Sequence, residues 1–255
     1  MDTYYEISAI PKSVIDKKLH LMRWANGTFS ERLKSKGFVS YQGEGLSWYK
    51  VVNNDVLLTV YIHAFSSVVP MVPAIGYGIH PLFIEAPIPQ KVVVRGWIDN
   101  EVMSRLYFPG SKKQYDKDTF VLCPPTPLLG AEVLEEKLFP LFDSICSIKD
   151  AYIFHKERYL DYASRNGLDL FSADNEVITT NDFVDIAIYM NDTGLFNRCL
   201  NDIVLKEGWS PKEQPRMNAQ RIAIMDNARD EYLLQLAKRK QKFAHKLNQK
   251  LGVDI

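Results

Sequence analysis

Apolar positions in this chain repeat first with a helical period, then with a strand period, then with a helical period again. Ile15, Leu19 and Met22, followed by Phe29 and Leu33, recur at three- and four-residue steps or close to them. Ser13 with Asp16 three residues later makes a capping sequence, and Lys36-Gly37 supplies a stop. The pattern predicts a helix from Ser13 to Lys36, with Asn26-Gly27 as an interruption. From Leu46 the texture changes. Two β-rich runs, Leu46–Val52 and Val56–Phe65, flank Asn53-Asn54-Asp55 and predict a hairpin. In the second run Val56, Leu58, Val60 and Ile62 alternate with Leu57, Thr59, Tyr61, His63 and Phe65. Both sets are largely apolar, so this strand is expected to be central and covered on each face.

The glycine- and proline-rich stretch Val69–Pro81 leaves room for at most one short strand, around Ile75–His80. Lys91–Ile98 and Asp118–Leu122 read as further strands, and Cys123-Pro124-Pro125-Thr126-Pro127 ends the sheet region because proline removes ladder donors. Every later segment is helical in pattern. Glu132–Ile145 is a helix kinked or divided by Pro140, and Ser147 caps a helix to about Arg165. Thr180 or Asn181 caps Asp182–Met190, and Thr193 caps Gly194–Lys206, the last two joined by Asn191-Asp192 as an antiparallel pair. Arg216–Leu251 reads as one long amphipathic helix with Ile222, Met225, Arg229, Tyr232, Leu236, Lys240, Phe243, Leu247 and Leu251 along its stripe. The fold class is therefore α+β: an antiparallel sheet with an N-terminal helix packed on it and a C-terminal helical block ending in a long helix. The sheet region spans 1–128 and the helical region 129–255, packed together as one globular unit.

This order of elements resembles an uncharacterised bacterial family of unknown function. The likeness rests on Leu33-Lys34-Ser35-Lys36-Gly37-Phe38, on Trp48-Tyr49-Lys50, and on the helix leading into a serine-capped helix across Leu141–Phe154. It covers Ile15 to Leu205, and the long C-terminal helix is an addition to it. The resemblance implies the fold class and a bacterial origin, and no activity.

Composition narrows the role further. The 255 residues carry 46% hydrophobic and 24% charged side chains, with 31 basic and 31 acidic residues in balance. A chain built to hold nucleic acid usually carries a basic surplus, and this one does not. No apolar run is long enough to span a bilayer and the first residues lack an export signal, which gives a cytoplasmic expectation and no membrane. Cys123, Cys146 and Cys199 are odd in number and unpaired in spacing, as expected of reduced, buried thiols. Charge is nonetheless polarised. Between Arg216 and Ile255 nine basic residues stand against four acidic ones, giving +5 and leaving −5 for the rest.

Chemistry motifs are sparse. His20, His63, His80, His155 and His245 show no metal-binding spacing. Gly76-Tyr77-Gly78 lacks the context of a dinucleotide fingerprint, and no phosphate loop or nucleophile elbow occurs. The carboxylate pairs Asp182/Asp185 and Glu135/Glu136 read as solvated helix faces. No catalytic residue, metal or cofactor is indicated. One ligand site is conceivable, with Tyr77, His80 and Glu85 lining a glycine-loosened loop. The other candidate is the closing helix, whose Tyr232, Leu236, Arg239, Lys240, Phe243 and Leu247 could grip a protein partner or a second copy of the chain. The same stripe could instead pack on its own domain, where the acidic body is a docking surface for the basic tail, and a third reading is weak, salt-sensitive contact of its lysines with nucleic acid or an acidic membrane. Trp48, Trp97, Tyr107 and Trp209 add aromatics suited to an interface. The sequence thus points to a non-enzymatic protein-binding or sequestering factor of a bacterial accessory system, immunity-like, antitoxin-like or phage counter-defence. The rival is an enzyme or small-ligand binder using the Tyr77–Glu85 loop.

Overall fold

A computed structural model describes residues 8–11, 29–41, 47–64, 73–84, 96–97, 119–122, 134–166, 180–206 and 213–252. Its centre is an antiparallel sheet built on the expected hairpin. Strands β2 (Val39–Ser40), β3 (Ser47–Val52), β4 (Val56–Ala64), β5 (Pro73–Pro81) and β6 (Gly96–Trp97) lie in that order across the sheet. A separate ladder pairs β1 (Ser8–Pro11) with β7 (Thr119–Leu122). Four residues without alternation gave no sign of β1 in the sequence. The hairpin turns because Asn53 and Asn54 both take positive φ, 49° and 55°, and the Asp55 amide donates to the Val52 carbonyl at 2.9 Å. Asparagine tolerates that conformation better than other side chains, and paired left-handed residues match the twist of the strands they join.

Strand β5 is longer than its composition suggests. It runs in register with β4 from Ala64↔Pro73 to Val56↔Pro81, so a full ladder overrides the weak β propensity of glycine. Its prolines sit at the two ends, where a missing donor costs least. Gly78 is required inside it: a Cβ there would stand 2.5 Å from the Thr59 hydroxyl and 2.6 Å from His80 Nε2.

The helices follow the expected order with three changes. Helix α1 (Glu31–Ser35) ends where predicted, with Gly37 at φ +83° and the amides of Gly37 and Phe38 donating to Lys34 and Leu33 carbonyls, both at 2.9 Å. Phe38 then packs with Leu33 in the core, completing a glycine stop with its apolar contact. The part of that prediction before residue 29 lies outside the described residues. First change: the helix expected to kink or divide at Pro140 opens with a π-helical turn, Leu134–Leu138, which passes directly into α2 (Phe139–Asp143). Helix α3 (Ile148–Asn166) follows, as predicted from Ser147. Helices α4 (Thr180–Met190) and α5 (Thr193–Lys206) pack together across a left-handed Asn191. Second change: Asp192, not Thr193, caps α5, its Oδ1 accepting the Leu195 amide at 2.9 Å.

Third, the closing helix is two. Helix α6 (Glu213–Asn227) bends at Ala228 (φ −123°, ψ 19°) into α7 (Arg229–Leu251), which ends at a left-handed Gly252. The bend lets the Arg229 guanidinium reach the end of α4, donating through Nε to the Ile188 carbonyl at 2.8 Å and through Nη2 to the Tyr189 carbonyl at 2.9 Å. Carbonyls at a helix C-terminus lack intrahelical partners, and a cation there also meets the negative end of the helix dipole.

The two faces of the sheet are covered differently. Trp48, Val56, Leu58, Val60, Tyr77 and Ile79 belong to a large cluster shared with α1 to α7, from Leu33 and Phe142 to Phe196 and Leu236. The opposite face presents Tyr49 and Leu57, joined by Tyr41 and Leu82, and is closed by Phe243 and Leu247 of α7. Central strand β4 is fully buried from Val56 to Val60, covered on both faces as its sequence predicted. One cluster thus draws on both the 1–128 and the 129–255 regions.

Candidate functional site

Tyr77 and His80 do not form a site together. They lie three residues apart on a strand rather than in a loop, and strand side chains alternate with period two, so they occupy opposite faces. Tyr77 sits against the rings of Phe142 (6.2 Å between centroids) and Phe154 (6.4 Å), within the large cluster. His80 is buried on the other face, in register with Leu57. Glu85 lies outside the described residues, as do Cys123, Tyr107 and Trp209. Trp48 is fully buried and is a core residue rather than an interface aromatic.

The closing-helix residues are placed differently from one another. Leu236, Phe243 and Leu247 are buried, the first against the helical cluster and the other two against the sheet. Tyr232 packs partly buried beside Leu236. Within the chain, the stripe packs on its own sheet and helical cluster. Arg239 and Lys240 are tie-points: Arg239 Nη1 donates to Asp185 Oδ2 at 2.8 Å, and Lys240 Nζ donates to Asp55 at the hairpin tip. Asp185 also accepts the Tyr232 hydroxyl. Of the two basic residues on the apolar stripe, Lys240 thus meets a carboxylate of the acidic body, whereas Arg229 meets the carbonyls at the end of α4. Asp185, which the sequence presented as one of a solvated pair, joins α4 to α7.

A second polar cluster escaped sequence reading. On α3, Tyr152 and Lys156 stand one turn apart, and both donate to Asp192 at the start of α5. Lys156 Nζ also lies 2.9 Å from the Tyr152 hydroxyl. The i, i+4 spacing of Tyr152 and Lys156 was a visible signal; the aspartate that unites them is 36 residues beyond Lys156 and was not. Burial is the largest influence on Asp192 and pushes its carboxyl up. The Leu195 amide, Lys156 and Tyr152 together outweigh it and hold the group down at about 2. Burial raises the Tyr152 phenol, and its bond to Asp192 raises it further. Lys156 is raised by its bonds to Asp192 and Tyr152.

These shifts decide what the cluster can do. A general acid or base works best with a pKa near the ambient pH. Here the phenol and the amine move up and the carboxyl moves down, which fixes one charge state for each and makes the trio a clamp. The Asp185 cluster behaves alike, burial first and then Asp185 pushing the Tyr232 phenol up to about 12. Burial likewise pushes the Cys199 thiol up to about 12, so it is held as an unreactive thiol. Cys146, against expectation, is exposed. It sits in the turn before α3, where the Cys146 and Asp150 amides and the Ser147 and Asp150 side chains bond reciprocally as a capping box. His155 is buried on α3, its Nε2 2.6 Å from the Ile79 carbonyl of β5, a structural role.

Among the described residues no three histidine, cysteine or acidic side chains gather to hold a metal ion, and no helix is long and apolar enough to cross a membrane. The outer side of α7 carries what remains: Leu234, 64% exposed, and beyond it Lys238, Gln241, Lys242 and His245, all exposed. The chain matches no protein-family model, no curated protein and no solved structure.

Proposed function

We propose that this chain is a non-enzymatic, cytoplasmic protein-binding factor that presents the outer face of α7 to another protein. The observation that carries the reading is the way α7 is held. Its inner stripe is committed to the sheet and the helical cluster, and its flanks are tied by Arg229, Arg239 and Lys240. A helix of 23 residues so fixed offers about 34 Å of rigid surface. Rigid surfaces lose little entropy on docking, which favours affinity. The polar clusters, with their pKa values moved away from neutrality, fit structural ties better than turnover. A sequestering role in a bacterial accessory system is consistent with such a scaffold.

The test is co-purification of the tagged full chain from its host, followed by reconstitution with the purified partner. A complex that survives size-exclusion chromatography and is lost on Leu234→Asp is expected. A chain that forms no complex with the proteins encoded beside it, and that turns over a small molecule instead, would contradict the reading.

A further inference from the structure

We infer that Ala228 is a hinge about which α7 is exchanged between two copies of this chain, each copy's α7 closing the sheet face of the other. The partner in that exchange is a second copy, whether or not α7 also presents its outer face to another protein.

The break at Ala228 has no breaker residue near it. Sharp kinks almost always mark proline, a glycine–serine pair, a π-bulge, or an inserted side chain or water. Residues 216–251 hold no glycine, proline or serine, and alanine is the strongest helix former. Ala228 also gives the start of α7 no side-chain cap. The helical bonds on either side persist: the Ala228 amide donates to the Ile224 carbonyl at 3.2 Å, and the Tyr232 amide to the Ala228 carbonyl at 3.0 Å. One residue's backbone, at φ −123° and ψ 19°, separates the bent arrangement from a straight one. Turned to helical values, it would join residues 213–251 into a single helix about 58 Å long, the helix that periodicity alone predicts.

Straightening carries α7 away from its own body. It uncovers Leu236, Phe243 and Leu247 on the helix and Tyr49, Leu57 and Leu82 on the sheet, all buried in the bent arrangement. Phe243 and Leu247 already fit that sheet face, and a second copy supplies both surfaces. The pairs of Arg239 with Asp185 and Lys240 with Asp55 lie about three turns past the hinge, far enough to re-form between copies. Arg229 differs because it adjoins the hinge. Its bonds to the Ile188 and Tyr189 carbonyls hold the start of α7 against α4 of the same copy, and a straight Ala228 carries it off them. Arg229 is therefore the latch of the bent form. Reciprocal exchange about a twofold axis closes on itself, so the product is a dimer and not a filament.

The experiment mixes unlabelled and ¹⁵N-labelled full chains in denaturant and refolds them together. Size-exclusion chromatography with light scattering gives the mass, and carbodiimide links Lys240 to Asp55 within each peak. The parent is expected to be chiefly monomer with links of a single isotope. Arg229→Gln removes the latch and should shift the equilibrium toward dimer at least about tenfold, with links of mixed isotope in that dimer. Adding Ala228→Gly disfavours the straight helix and should pull the dimer back about fivefold per hinge. Should Arg229→Gln fail to fold by far-UV dichroism, Arg229→Lys, which keeps the charge but not the two-point contact, should give the same dimer with a smaller shift. A folded Arg229 variant that stays monomeric, a dimer whose links are all of a single isotope, or a dimer undiminished by Ala228→Gly would overturn the proposal.

Discussion

The two faces of the central sheet reach the same burial by different means. The face of Trp48, Leu58, Val60 and Tyr77 is packed by several elements contributed from residue 29 onward, in one cluster with many mutual contacts. Among the described residues, the face of Tyr49 and Leu57 is closed by Phe243 and Leu247 of one helix, α7. A cluster fed from many elements tolerates the displacement of one, whereas a face closed by a single helix depends on whatever positions that helix. Polar ties supply the positioning: Arg229 and Arg239 to α4, and Lys240 to the hairpin tip. Arg229 and Lys240, the two basic residues on the apolar stripe, are thus among the residues that hold α7 in place.

Truncating one side chain on each face separates the two designs. Trp48→Ala and Phe243→Ala should each cost about 3–5 kcal/mol in denaturant unfolding, since both side chains are buried. Their hydrogen-exchange patterns should differ. Trp48→Ala is expected to raise exchange in α3, α4 and the sheet alike, while Phe243→Ala raises it chiefly in α7 and β4. Equal patterns would mean that the sheet's two faces are one cooperative unit.

The polar ties come next in size. Asp185→Asn keeps the shape and removes the charge that both Tyr232 and Arg239 face, and should cost about 1–2 kcal/mol. Asp192→Ala removes a helix cap and the partner of Lys156, with a cost of about 1–2 kcal/mol. Its pH dependence has a definite sign. The folded carboxyl sits at about 2 against an ordinary 3.8, so its stabilisation is complete above pH about 4 and disappears as pH falls toward 2. Acid titration of Tm should therefore be shallower for Asp192→Asn than for the parent over that window, and coincident curves would show that the clamp does not hold in solution.

Turn and surface changes are smaller. Asn54→Ala should lower stability by about 1 kcal/mol because alanine dislikes φ near 55°, whereas Asn54→Gly should be neutral within error. Lys240→Ala, which breaks a pair with both partners about a third exposed, should cost less than about 1 kcal/mol. Its value lies in exchange at the hairpin tip, where α7 and β4 meet. A change confined to the far end of α7 would contradict the tie.

Much of this architecture was legible because local chemistry and tertiary packing agree. Gly37 stops α1, Asn53-Asn54 turns the hairpin, and Ser147 starts α3, each through a bond within six residues. The apolar alternation of β4 announced two covered faces. What failed to show depends on distant partners. Strand β5 exceeds its composition because β4 supplies nine residues of ladder, and the break between α6 and α7 goes with Arg229 bonding carbonyls 41 and 40 residues earlier. The Tyr77–His80 pairing failed on parity, since a loop was expected where a strand places residues three apart on opposite faces. The closing stripe is buried at Leu236, Phe243 and Leu247 while Ile222, on the same run, is exposed, and periodicity alone does not say whether the cover is internal.

Carbodiimide cross-linking of an equal mixture of unlabelled and ¹⁵N-labelled chains tests most directly that α7 seals the sheet of its own molecule. The reagent joins a lysine amine to a carboxylate in contact with it, and the Lys240–Asp55 pair is such a contact. The account predicts a Lys240–Asp55 linked peptide from monomeric protein in which both halves carry the same isotope. Linked peptides of mixed isotope would place α7 on a second copy, and the absence of the link would leave the sheet face without its lid.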